Sequence, residues 1–144
     1  MKKEFDRQAL TIIQSPGCIG DYLNGVGDIY VKNGWGDGYD ENMLRKMFLS
    51  AHYVVVIHSG LVIGVTRALT DDVCVTHFSE ILVHPDYQRS GVAQLMVECV
   101  LKCLSHTYIY AEALTDIAAR LLENNGFKRK PQLQVYVKAG YSTS

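Results

Sequence analysis

The sequence predicts a mixed α/β fold, and three observations carry that prediction. The β-branched run Val54-Val55-Val56-Ile57 is followed, after Ser59-Gly60, by a second apolar run over residues 61–69, the pattern of an antiparallel hairpin. Val92, Leu95, Met96, Cys99, Val100, Cys103 and Leu104 recur at helical spacing with Gln94, Glu98 and Lys102 opposite, which marks an amphipathic helix. Strand-like and helix-like segments alternate along the rest of the chain, so the helices have a sheet to pack against.

Taken in order, residues 10–13 read as a first strand closed by Ser15-Pro16-Gly17. Residues 19–32 carry apolar side chains at mixed spacing with Gly25 and Gly27 inside. Each internal glycine weakens a helix, so a broken helix is expected. Asn33-Gly34-Trp35-Gly36-Asp37-Gly38 is a loop by composition. Asp40 can cap a helix over residues 41–51, where Met43, Leu44, Met47 and Phe48 make one apolar stripe. Residues 52–58, 61–69 and, past the Asp71-Asp72 turn, 73–83 are expected as three antiparallel strands. Residues 108–113 read as a fifth strand. Thr115 or Asp116 can cap a helix running to Asn125, with Gly126 placed to stop it in a left-handed turn. A last strand is expected over residues 134–138.

The length, 144 residues with 48% hydrophobic side chains, suits one domain, residues 1–144, with a real core. Lys and Arg number 14 and Asp and Glu 15, so the net charge of −1 asks for neither nucleic acid nor an anionic membrane. No segment has the pattern of a signal peptide or the length of a membrane span, and a cytoplasmic protein is expected. Cys18, Cys74, Cys99 and Cys103 lack Cys-x-x-Cys spacing and read as reduced core thiols, with no metal expected.

The chemistry concentrates in Val83-His84-Pro85-Asp86-Tyr87-Gln88-Arg89-Ser90-Gly91-Val92-Ala93, between a strand and the amphipathic helix. Backbone N–H groups at such a helix start form a phosphate site. Gly91 permits a positive φ or close backbone approach, small Ala93 leaves room for a diphosphate, and Arg89 adds charge. The chain has neither Gly-x-x-x-x-Gly-Lys-Ser/Thr nor Gly-x-Gly-x-x-Gly, which disfavours a nucleotide-phosphate binder.

The pattern Gln-Arg-x-Gly-x-Ala at Gln88 to Ala93 resembles the acetyl-CoA loop of the GNAT acyltransferases, the Gcn5-related N-acetyltransferases. Tyr30, Gly34, Trp35 and Gly36, Leu61-Val62-Ile63-Gly64 with Arg67, and Glu80-Ile81-Leu82-Val83-His84-Pro85 resemble segments of one bacterial branch. The resemblance covers residues 10–138. It implies a central, mostly antiparallel sheet flanked by helices and splayed between its fourth and fifth strands. It further implies that acetyl-CoA lies in that opening, held by Gln88, Arg89, Ser90, Gly91, Val92 and Ala93 and by the backbone around Ile81, Leu82 and Val83. Asn124 is a further candidate to reach the CoA arm, or else simply a residue of the last helical turn. Leu121-Leu122-Glu123-Asn124-Asn125-Gly126-Phe127 resembles the family's Phe-Tyr-Glu-x-x-Gly-Phe element, but Leu122 stands where a Tyr, often the acid for the leaving thiolate, is usual. Leu122 therefore reads as a packed core residue.

Transfer to an amine needs a group to take the ammonium proton. Glu80 is the first candidate and His77 the second; the alternatives are a Glu80 paired with Arg67 and a His77 that is a sheet-face residue. Three positions apart on a strand, they share one face only if a β-bulge intervenes, and the resemblance implies one. Trp35 either stacks on the acceptor or lids the core. The expected activity is N-acetyl transfer from acetyl-CoA to a primary amine that no motif identifies, with a small metabolite, polyamine or aminoglycoside and a protein N-terminus or lysine all open and a small molecule the favoured partner, by a monomer or homodimer; the rival is a non-catalytic acyl-CoA-binding or sensing module.

Overall fold

In the computed structural model, which describes residues 6–140, five strands lie in chain order in one sheet. β1 (Leu10–Gln14), β2 (His52–His58), β3 (Leu61–Thr70) and β4 (Val75–Val83) pair antiparallel. β5 (Tyr108–Ala111) pairs parallel with β4, a geometry that requires the crossover supplied by α3 (Val92–Leu104). The expected mixed α/β fold is thus present, and the strands that the hairpin pattern indicated form with their turns in place.

Helices cover both faces, which is why Tyr53 to Ile57 on β2 are buried without alternation. α1 (Leu23–Lys32) and α2 (Glu41–Leu49) cover one face, where Val26, Ile29, Tyr30, Leu44 and Phe48 meet Val55, Val65 and Leu82. α3 covers the other, where Met96, Val97 and Val100 meet Val54, Val56, Ile63 and Phe78. Leu121 and Phe127, at and beyond the end of α4 (Asp116–Asn124), pack on that second core. The caps are those the sequence indicated. Asp40 accepts from Met43 N–H at 2.8 Å and Thr115 from Ala118 N–H at 3.1 Å, while Gly126 takes φ 89°.

The structure departs from expectation in several places: α2 ends at Leu49, short of residue 51, and β4 starts at Val75, two residues after 73. A 3-10 turn at Gly20–Tyr22 precedes α1, but α1 runs unbroken through Gly25 and Gly27. A Cβ at Gly25 would come within 2.7 Å of Val62 Cγ2, so the residue that weakens the isolated helix lets it press onto β3. On α3 the buried stripe is Val92, Met96, Val97, Val100 and Leu104. Cys99, half-buried, packs against the α3 core, whereas Cys103 lies outside it and Cys18 and Cys74 are exposed, so three of the four free thiols are not core residues. β5 ends at Ala111, short of residue 113. Residues 134–138 form no strand: Val135, Tyr136 and Val137 are all exposed. β-propensity expresses fit to a pleated, half-buried surface, and among the described residues no strand pairs with this segment to supply one.

Candidate active site

β4 and β5 stay together only from Val75 and Tyr108 to Phe78 and Ala111, after which β4 continues alone to Val83. The sheet therefore forks. His84 N–H donates to Ile63 O at 2.8 Å on the β3 side, so by alternation the N–H and C=O groups of Ile81 and Val83 face the opened side. The Val83 carbonyl already accepts from Asn33 Nδ2 at 3.2 Å and from Gln88 Nε2 at 3.4 Å. Ile81 and Val83 are half-buried and Leu82 is buried in the α1/α2 core.

The segment after β4 is held from below. His84 accepts from Asp86 N–H at 3.1 Å, capping the short turn Pro85–Tyr87, and Tyr87, 5% exposed, packs edge-on against His84 and His58. Ser90 Oγ donates to the Tyr87 carbonyl. Gln88 and Arg89 are exposed beyond this anchor, Arg89 at φ 61° and Gly91 at φ 91°. Gly91 is the N-cap of α3 and brings no side-chain acceptor. The amides of Val92, Ala93 and Gln94 consequently start the helix without an intrahelical or capping partner, the arrangement that receives an anion. Val92 is buried, its side chain packed in the α3 core.

On the α1/α2 face, Glu80 is more deeply enclosed than the sequence suggested, its side chain 1% exposed. Arg67 Nε donates to its Oε1 at 2.5 Å and Arg67 Nη2 to its Oε2 at 3.2 Å, while the Tyr30 hydroxyl also donates to Oε1. The pairing with Arg67 that stood as the alternative reading of Glu80 is therefore formed. Burial first, then the Glu80 charge, pushes the Tyr30 hydroxyl well above the ordinary tyrosine range. Tyr30 stacks on Tyr39 at 4.5 Å and meets Trp35 edge-on at 6.1 Å, and Trp35 remains 42% exposed. Trp35 thus closes one side of this buried cluster and presents its other side to solvent.

The β3–β4 register shifts between Arg67 and Ala68: Arg67 opposes Glu80 and Ala68 opposes Phe78, leaving Ser79 as the extra residue. This bulge puts Phe78 in the α3 core and leaves Glu80 with Leu82 on the α1/α2 face. His77, adjacent to Phe78, consequently lies on the face of Glu80, so the bulge brings the two candidates to one side. His77 is half-exposed, and its Nε2 is 3.0 Å from Glu112 Oε2 and 3.2 Å from Oε1.

Asn124 ends α4 exposed, whereas Asn125 exchanges hydrogen bonds with Gln94 in the first turn of α3, at 2.8 and 2.9 Å. The side chain that ties α4 to the loop's helix is therefore one position later than the sequence candidate, and neighbouring asparagines offer no sequence signal to separate them. Leu122 is buried, as a packed core residue should be. A depression of about 330 Å³ between α1 and α2, lined by Asp28, Asp37, Asp40 and Glu41 among others, includes no residue of β4, β5 or the loop. Among the described residues, no group of three or more His, Cys, Asp or Glu is placed to hold a metal ion, and no helix is long and apolar enough to cross a membrane.

A forked sheet with an uncapped helix start beside the free strand defines the class as an acyl-CoA-type transferase fold. The chain belongs to the GNAT acetyltransferase family: residues 50–129 match the model of the acetyltransferase (GNAT) domain. No curated relative matches in sequence. Among solved structures it is similar to a GNAT-family acetyltransferase from Streptococcus pneumoniae TIGR4, with 17% identity, TM-score 0.73, and 91% of this chain and 99% of that one covered. It is similar also to an aminoglycoside N-acetyltransferase solved with CoA, at 16% identity and TM-score 0.68, with 90% and 94% covered. The ribosomal-protein-S18-alanine N-acetyltransferase of Escherichia coli has 18% identity and TM-score 0.66, with 84% and 79% covered.

Proposed function

We propose that this chain, acting as a single cytoplasmic domain, moves an acetyl group from acetyl-CoA to a primary amine on a small molecule by direct attack, without a covalent enzyme intermediate. The observation that carries the reading is the alignment of two backbone sites along one strand. The free edge of β4 runs from the fork to the uncapped start of α3, roughly 16 Å for five residues. The amides of Val92, Ala93 and Gln94, with Gln88, Arg89, Ser90 and Gly91 around them, would hold the diphosphate. Ile81 and Val83 would pair with the pantetheine arm, which leaves the thioester toward the fork. The bound cosubstrate supplies the activated acetyl group; the protein positions it and manages the proton.

Trp35 walls the acceptor side of the α1/α2 face. Two side chains on that face, Glu80 and His77, can take the amine proton. Both oxygens of Glu80 are already engaged by Arg67 and Tyr30, so Glu80 would serve through water or by fixing Tyr30 beneath Trp35. Structural neighbours are named for an aminoglycoside and for a ribosomal-protein alanine, so the fold alone selects no acceptor.

The competing reading is a non-catalytic acyl-CoA sensor, favoured by Leu122, whose buried apolar side chain offers no proton to a departing thiolate. A thiol of ordinary acidity, with pKa about 8.5, leaves without that help. The test is an amine screen that follows free thiol release, run beside an acetyl-CoA titration. Release with a primary amine supports transfer; binding with no release on any amine establishes the sensor.

A further inference from the structure

The fork has a closed end, and a hydrogen-bonded histidine–carboxylate pair occupies it. Pairing of β4 with β5 stops at Phe78 and Ala111, so His77 is the residue before the strands part and Glu112 the first residue after them on the other arm. Their side chains meet across the gap at 3.0 Å. His77 faces the same side of the sheet as Glu80, with Leu69 opposite it on β3 and Tyr110 on β5, each 42% and 51% exposed respectively. Among the described residues, the titratable and charged groups on this face include Glu112, Tyr110 and Tyr108 from the β5 side, the Arg67–Glu80 pair further along β3 and β4, Tyr53 on β2, and Tyr30 of α1, which donates to Glu80.

A carboxylate only accepts hydrogen bonds, so the contact to Glu112 places the imidazole proton on Nε2 and leaves the lone pair on Nδ1. No protein donor among the described residues takes that lone pair. Resting on the acetyl-transfer reading above, we propose that Glu112 is a positioning residue that orients His77 as the group receiving the amine proton. In the step, the amine lone pair forms the C–N bond while the carbonyl electrons move to oxygen. They return as the C–S bond breaks and CoA leaves as the thiolate. The nitrogen loses its proton to His77 Nδ1, and His77 passes it to solvent. Glu112 gains a full counter-charge partner as the imidazolium forms, which stabilises the product of proton transfer.

The experiment uses the full chain with an amine found by thiol release, and compares His77→Gln, Glu112→Ala, Glu112→Gln and the double variant His77→Gln/Glu112→Ala. Both replaced side chains are half-exposed, and a melting curve for each variant checks that it is folded. Glu112→Ala should lower kcat by about 10–100-fold, the effect of losing an orienting partner, with KM for acetyl-CoA unchanged. Glu112→Gln, whose amide oxygen still accepts from Nε2, should recover much of the kcat lost in Glu112→Ala. The double variant should be no slower than His77→Gln alone, because the two residues act as a unit. Multiplying losses in the double variant, or a Glu112→Gln as slow as Glu112→Ala, would overturn the pair while wild-type thiol release leaves acetyl transfer standing. No release from the wild type with any amine would overturn both.

Discussion

At the scale of single residues, the loop's φ angles decide what it tolerates. Gly91 sits at φ 91°, where a β-branched side chain is strained, and it sets the direction of the first amides of α3. Gly91→Val should weaken acetyl-CoA binding more than Ser90→Ala, which removes only the hydroxyl bonded to the Tyr87 carbonyl. Arg89→Ala should cost about 1–3 kcal/mol of binding for one charge-assisted contact, read by calorimetry; wild-type affinity in folded Gly91→Val would show that the diphosphate lies elsewhere. The Glu80 cluster makes a different prediction. Removing one partner of a buried pair leaves the other charge uncompensated, so Glu80→Ala should lose about 3–5 kcal/mol of stability in urea, while Glu80→Gln should leave acetyl-CoA affinity nearly unchanged because the arm binds main chain. Tyr30 holds its proton more tightly folded than unfolded. Stability should therefore be complete below about pH 10, the ordinary tyrosine value, and fall as pH rises beyond it. Tyr30→Phe should flatten that alkaline slope, and an unchanged slope would remove Tyr30 as its source.

Elements hold the site by their ends. The β3–β4 turn is organised by Asp71, whose Oδ1 accepts from the N–H groups of Val73, Cys74 and Val75 at 2.9, 2.7 and 3.0 Å. Those bonds hold its carboxyl down at about 2. A depressed folded value adds stability above the unfolded value near 3.9 that is lost as pH falls toward 2. Asp71→Asn should thus reduce the acid dependence of the melting temperature between about pH 4 and pH 2, where an identical acid profile would show that the turn does not depend on the charge. The strand pattern near this turn was legible in the sequence because alternation is a local property. The Ser79 bulge was not, since an extra residue appears only when β4 is laid against β3.

For the whole molecule, a ligand that binds only the folded state raises its melting temperature by mass action. Acetyl-CoA at 100 times its Kd should add about 2.7 kcal/mol, with ATP and NAD doing much less at equal concentration. Saturating acetyl-CoA without a shift in a thermal scan would remove the CoA site assigned to β4 and α3.

By itself the sequence determined the order of strands and helices, the caps at Asp40 and Thr115, and the loop from Gln88 to Ala93, because period, capping chemistry and a glycine at a helix start are read from neighbours in the chain. Only the tertiary structure decided what depends on distant neighbours. Val62 turned Gly25 from a helix breaker into a contact point, and Gln94 chose Asn125 over Asn124. The want of a strand beside residues 134–138 left them unpaired. Arg67 and Tyr30 occupied Glu80, while Glu112, separated from His77 by the whole α3 crossover, came back to meet it at the fork. A side chain's chemistry is fixed by its residue type, but its free lone pairs and its charge partners are supplied by segments that only folding brings within 3 Å or so of it.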